Sequence, residues 1–172
     1  MEGLHHFFLH LVESAGYAGL LLVMIAGNLA IPVGTEFVLP VVGVLVATGH
    51  LPSLWLTVLI AVIGELIGGS LLFAIGKYGG PPFVHRFGRF VHLREHEMER
   101  VHGFYQRFGA KTVFLSRFIP VIRGIAALPA GLSDMPWPPF LLYTAAGSSI
   151  FCFGLIALGS RLGRHFHEVI PR

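Results

Sequence analysis

Basic residues are missing from the first part of this chain: from Met1 to Gly76 there is neither Lys nor Arg. Charge of either sign is scarce throughout. Only 12% of the 172 residues are Asp, Glu, Lys or Arg, about half the ~25% of a soluble domain. A nucleic-acid-binding protein needs a basic face on a solvated body, and this composition leaves none, so nucleic acid is excluded as a partner. There is one cysteine, Cys152, which rules out a disulfide scaffold. It lies in an apolar run and is expected simply to pack there. The hydrophobic share, 54%, excludes disorder. What remains is an all-α integral membrane protein of one domain, 1–172.

The basic residues that do occur are placed unevenly. Seven fall between Lys77 and Lys111, two (Arg117 and Arg123) lie inside an apolar stretch, and three (Arg161, Arg164, Arg172) are near the C-terminus. Basic residues gathered in a loop between apolar segments mark the cytoplasmic side of a bilayer. The N-terminus lacks a basic start and its apolar part continues into the body, so no cleavable signal peptide is expected.

The apolar pattern divides the chain. An N-terminal amphipathic segment, 1–16, precedes two short apolar runs, Tyr17–Ile31 and Glu36–Gly49, separated by Pro32-Val33-Gly34-Thr35. Neither run reaches the roughly 20 residues that a spanning helix needs. Leu54–Gly76 is long enough to span. Residues 82–110 are polar, charged and expected to form a helix along the cytoplasmic interface. There, Phe83, Phe87, Phe90 and Val91 would face lipid, with Arg86 and Arg89 near anionic headgroups. Thr112–Leu132 is apolar but broken by Pro120, Pro129 and two arginines. Trp137–Ser160 is a second clean span.

Broken helices at membrane depth survive only inside protein or beside a water-filled cavity, because lipid offers no partner for free backbone groups. An interruption in each half is the sequence pointer to a transporter's central site. In the first, residues 17–49, Pro32 removes a backbone donor and Gly34 relaxes the chain. Thr35 is placed to cap a helix starting at Glu36. Glu36 is then either a first-turn carboxylate favoured by the helix dipole or a proton- or ion-coupling acid facing a cavity. In the second, residues 112–132, a continuous helix would set Arg117 and Arg123 about 240° apart. Pro120 breaks that helix and allows both guanidiniums to turn into one cavity, beside free N–H groups near Gly124. Two arginines with such N–H groups suit a phosphate. The plainer alternative is snorkelling from a shallower depth.

The run Gly109-x3-Val113-x3-Arg117-Phe118-x-Pro120-x2-Arg123, followed by Ala130-Gly131-x3-Met135, resembles the signature of the DedA family, whose core is also called the VTT domain. Asn28…Pro32…Glu36 and Gly64-x3-Gly68…Phe73-x2-Gly76-Lys77…Gly80 resemble further elements of it, and the likeness runs from about Tyr17 to Gly163. The resemblance implies two facing re-entrant hairpins (17–49 and 112–132) and movement of lipids between leaflets. In the bacterial branch the lipid is undecaprenyl phosphate, with proton coupling; eukaryotic relatives resemble phospholipid scramblases. It also implies Glu36 as a membrane-embedded acid and Arg117 and Arg123 as membrane-embedded bases. The chain departs from the pattern at Gly27, where the family has an acid, and at Gly34, Phe73 and Lys77.

These readings converge on a multi-pass protein of the cell (inner) membrane that translocates a phosphate-bearing lipid. Arg117, Arg123 and Gly124 would hold the phosphate, and Glu36 would couple protons or ions. Glu65, the other acid inside an apolar segment, either replaces the carboxylate missing at Gly27 or is protonated or bonded to a neighbouring helix with no role in transport. Membrane lipids are the expected partners, with self-association left open. No cofactor or metal is expected. A transporter or channel for a small soluble ion is the competing class. His92-Leu-Arg-Glu95-His96 matches the H-x-x-E-H pattern of a zinc protease family, but no apolar protease core surrounds it and no nucleophile–base pair stands out. The expected role is therefore not enzymatic.

The break itself can be tested. In Pro120→Ala a continuous helix would swing the two arginines apart, so transport of a phosphate lipid in proteoliposomes should be lost although the protein still inserts. Normal transport by a correctly inserted variant would reduce the break to a packing feature.

Overall fold

The structure, a computed structural model, describes residues 2–29, 34–88, 103, 105, 107–119 and 122–169. Every regular element among them is an α-helix. These are α1 (Glu2–Gly27), α2 (Thr35–Ala47), α3 (Leu54–Gly88), α4 (Ala110–Ser116), α5 (Ile122–Ile125), α6 (Ala127–Leu132) and α7 (Trp137–Val169). Among the described residues, two stretches are long and apolar enough to cross a membrane, Leu54–Gly79 in α3 and Trp137–His165 in α7. Residues 14–27 and 35–47 form shorter apolar helices. Large apolar side chains such as Leu59, Ile67, Leu71, Ile150 and Leu158 face outward, as expected where the surroundings are hydrocarbon.

Several boundaries differ from the sequence expectation for physical reasons. Helix α1 bends at Gly16, whose φ of 56° and ψ of −126° lie outside the helical region. Helix α2 starts at Thr35 and not at Glu36. Its N-cap is Gly34, in the left-handed region at φ 63°, with no side-chain cap bond. A glycine adopts that conformation without steric cost, so the chain enters the helix by backbone geometry. Helix α3 does not end at Gly76 but continues to Gly88. Gly76 marks a close approach inside the helix, because a Cβ there would collide with the carbonyl oxygen of Leu128. The expected interfacial helix over 82–110 therefore begins as a continuation of α3. Residues 89–102 and the side chains of Phe83, Arg86 and Phe87 lie outside the described residues, as do Arg89, Phe90, Val91 and the His92–His96 pattern.

The chain forms two compact units. The first comprises Met1–Gly27, Pro32–Glu65 and Ser148–Arg172; the second comprises Asn28–Ile31 and Leu66–Gly147. In the first, small residues let helices touch at the backbone, the usual device where no water drives association. A Cβ on Gly159 of α7 would strike the Pro40 carbonyl of α2, and one on Gly43 would strike the Ile156 carbonyl. Gly64 of α3 meets α1 in the same way, since a Cβ there would lie 2.6 Å from Met24 Cβ. In the second unit the core gathers Leu72, Phe73, Val113, Leu128 and Phe140. Phe73 stacks on Phe140 at 4.1 Å between centroids and meets Trp137 edge-on at 4.7 Å. Trp137 Nε1 donates to the Tyr78 hydroxyl at 3.0 Å, and Lys77 Nζ donates to the Met135 carbonyl at 3.0 Å.

Because backbone atoms cannot yield as a flexible side chain does, Gly159→Ala should destabilise the first unit by ~1–3 kcal/mol. Thermal melting of the detergent-purified protein reads this. An unchanged melting temperature would show that the α2–α7 contact is looser than described.

Candidate functional site

Helix α4 ends at Ser116, and the chain turns so that Arg117 takes the C-cap position, its N–H donating to the Phe114 carbonyl at 3.2 Å. From there the guanidinium runs into the second unit. Arg117 is 1% exposed, and it heads the fully buried side chains by size. Nη1 donates to Asn28 Oδ1 at 2.9 Å and to the Arg123 carbonyl at 3.1 Å, and Nη2 donates to Thr144 Oγ1 at 3.3 Å. Bonds from a charged donor are worth ~1.5–3 kcal/mol each, and they offset the cost of burying the cation.

Room for this side chain comes from two glycines. A Cβ on Gly69 of α3 would lie 3.1 Å from Arg117 Nη2, and one on Gly147 of α7 would lie 3.0 Å from Arg117 Cβ and Cγ. Any larger residue at either place would press on the guanidinium or its stem.

Arg123 sits in the four-residue helix α5 and is 4% exposed. The break therefore brings the two arginines together, joined by the bond from the Arg117 side chain to the Arg123 backbone. Gly124 is not at the open start of a helix. Helix α5 opens at Ile122, which makes Gly124 its third residue, and the Arg123 N–H is already given to the Ile119 carbonyl at 3.1 Å. That bond to the Ile119 carbonyl uses a donor that an isolated half-helix would have left open. Pro32 and Pro120, expected to break the two hairpins, lie outside the described residues.

The acids belong to the first unit. Glu36 stands in the first turn of α2, partly exposed. Glu65 is 0% exposed near the middle of the apolar stretch of α3. Its Oε2 accepts from Ser148 Oγ at 2.5 Å, and its Oε1 lies 3.8 Å from Cys152 Sγ. Ser148 and Cys152 are one turn apart on α7. Cys152 thus does more than fill space, since it offers a weak donor to a buried carboxyl.

Sequence reasoning missed Thr144, Gly69 and Gly147, and it treated Asn28 only as part of a resemblance. A hydroxyl at Thr144, within an apolar helix, was the available signal. The two glycines carry no signal until the arginine's path is known. No cluster of three or more metal-ligating side chains occurs among the described residues.

Residues 39–161 match the family described as the VTT domain. The chain belongs to the VTT-domain (DedA) family. It is 30% identical over 158 residues to undecaprenyl phosphate transporter A of Bacillus subtilis, covering 92% of this chain and 77% of that one. It is 30% identical to the Staphylococcus aureus protein of the same name, covering 90% and 78%. The membrane protein YbfM of B. subtilis is 29% identical, with 89% and 94% covered. No solved structure matches the chain.

Asn28→Leu removes the acceptor nearest to Arg117 Nη1 and should lower stability by ~1–3 kcal/mol. Thr144→Val, which loses the longer bond, should cost less. Melting of the two purified variants checks both the loss and its order, and the reverse order would mean that Thr144 is the stronger anchor.

Proposed function

We propose that this protein moves a phosphate-bearing lipid, undecaprenyl phosphate or a phospholipid, between the leaflets of the cell (inner) membrane, as a multi-pass protein with two re-entrant hairpins. The observation that carries this reading is the buried pair Arg117 and Arg123, joined across a helix break in a chain with two membrane-length helices. The transporter names of the Bacillus and Staphylococcus relatives support it.

An arginine pair at membrane depth suits one chemistry above others. A planar guanidinium meets phosphate oxygens two at a time, and its charge persists at every physiological pH. The headgroup would pass through the broken segment with its phosphate on Arg117 and Arg123, while the tail stays in the bilayer. Insertion scales put an arginine at the bilayer centre at ~3 kcal/mol, a cost that a bound phosphate helps to offset. Glu36 and Glu65 are the acids that take up the coupling proton or ion in this cycle. Ser148 and Cys152 hold Glu65 in place through its two oxygens.

Purified protein in liposomes, given fluorescent polyprenyl phosphate in one leaflet, should speed its appearance in the other. Arg117→Lys should lose most of that rate, by ~10-fold or more, because an ammonium lacks the bidentate fork. If the Lys variant transports at the wild-type rate at equal expression, Arg117 is a structural charge. If the wild type moves a soluble anion and no lipid, the small-ion transporter takes the place of the lipid translocase.

A further inference from the structure

One face of α3 in the second unit takes no part in the arginine site. Leu66, Ser70 and Ala74 form one row on it, and Ile67 and Leu71 form the next, with four residues between successive members of each row. With Trp137 of α7 they line an open groove of about 380 Å³. The lining is hydrocarbon apart from the Ser70 hydroxyl and the indole N–H, and that N–H is given to the Tyr78 hydroxyl at 3.0 Å. The groove runs along a stretch of helix long and apolar enough to cross a membrane, so its shape and chemistry suit a hydrocarbon chain.

The same face ends in a cation. The helical repeat places Lys77 and Tyr78 one turn beyond Ala74 on this face, and Leu66 to Lys77 spans roughly 16 Å of helix. Phe73 locates the ammonium beside the end of the groove. Lys77 Nζ lies 5.9 Å from the centroid of that ring, and Trp137 meets the same ring edge-on at 4.7 Å. Nζ also donates to the carbonyl of Met135, two residues before Trp137, at 3.0 Å. This acceptor is neutral and takes one of the three N–H donors of an ammonium. Asp134 is adjacent in sequence and exposed, yet no carboxylate among the described residues pairs with Lys77. Helix α7 opens on Trp137-Pro138-Pro139. The two prolines bring no N–H, so at this end the lysine, and not the helix backbone, supplies the donors.

We propose that this groove is a binding site for a lipid with an anionic phosphate headgroup, one chain lying along α3 and the phosphate resting on Lys77, apart from the Arg117 and Arg123 pair. The choice of a phosphate lipid rests on the lipid-phosphate reading above. Charge complementarity separates this occupant from bulk lipid. An ordinary interfacial lysine extends into water and anchors its helix whatever the headgroup. Lys77 is instead drawn over an aromatic ring by a neutral oxygen, at the end of a groove made for a chain. A zwitterionic lipid can fill the same groove, but its headgroup brings no net charge to the ammonium.

Trp55→Phe leaves Trp137 as the one tryptophan and keeps a ring against Phe153. The full-length protein with this change is placed in phosphatidylcholine vesicles, and quenching of Trp137 is followed with lipids brominated in the upper part of their chains. Brominated phosphatidic acid should reach half-maximal quenching at a mole fraction about fivefold lower than brominated phosphatidylcholine, the gain expected from one lysine near an anionic headgroup. Lys77→Gln should remove that preference and Lys77→Arg should keep it. Ala74→Phe, which fills the groove, should remove it with Lys77 in place; Ser70→Phe serves if that variant does not fold. Equal quenching by the two lipids in the parent protein overturns the proposal, as does a preference that survives Lys77→Gln. A preference that survives a filled groove shows that Lys77 gathers headgroups without seating a chain, and overturns the site as described. A clear preference in a protein that moves no lipid between leaflets sinks the translocation reading and leaves the groove site standing, whereas lipid movement without any preference does the reverse.

Discussion

The second unit depends on a guanidinium that water does not reach. A buried cation with unfilled donors would cost several kcal/mol, more than a protein of ordinary marginal stability can tolerate at one site. Arg117 therefore dictates its surroundings. It draws an amide oxygen from the turn after α1, a backbone carbonyl from α5 and a hydroxyl from α7 onto one planar group. Each of those segments must be in place for the others to be stable. The broken stretch acquires a defined shape in this way, although its helices are too short to hold one alone.

Space for the arginine is created by what other helices lack. Gly69 and Gly147 line its path, and the same use of missing side chains recurs at Gly76 and Gly131, where α3 and α6 touch through their backbones. In a membrane protein the gain from burying apolar surface between helices is small, so close backbone approach takes over that role. The high glycine content follows from both needs. Some glycines pack helices tightly, while others leave room for a large polar group.

Much of this was legible in the residues. The two long spans, the short apolar helices and the break around Arg117 and Arg123 follow from run length and from proline and glycine placement. The arginine motif carried the family, which the match over residues 39–161 bears out. Less legible was anything that depends on three-dimensional approach. Thr35 looked like a cap, yet Gly34 supplies the turn by its left-handed backbone, and both are ordinary residues for such a position. Gly76 read as the end of a span because glycine usually weakens a helix, whereas here it is where another backbone passes. Thr144 and Tyr105 bond to groups 27 and 21 residues away, and no local pattern encodes such a partner. Cys152 read as packing because its neighbours in sequence are apolar; its polar contact comes from Glu65, 87 residues away.

On the lipid-phosphate reading, the bonds that hold Arg117 also bear on how so closed a site would bind and release an anion. The amide oxygen of Asn28 and the hydroxyl of Thr144 are neutral acceptors. A phosphate oxygen carries charge, and charge-assisted bonds are roughly twice as strong as those to neutral groups. On the lipid-phosphate reading, an arriving headgroup can displace both without separating a pair of opposite charges at those positions. When it leaves, the same two oxygens return to the guanidinium, so those donors do not face hydrocarbon unsatisfied. Carboxylates in their places would hold Arg117 more firmly and would compete with the phosphate for its charge. Neutral acceptors hold the empty site together without that competition, and this favours asparagine and threonine where a stability argument alone would favour aspartate.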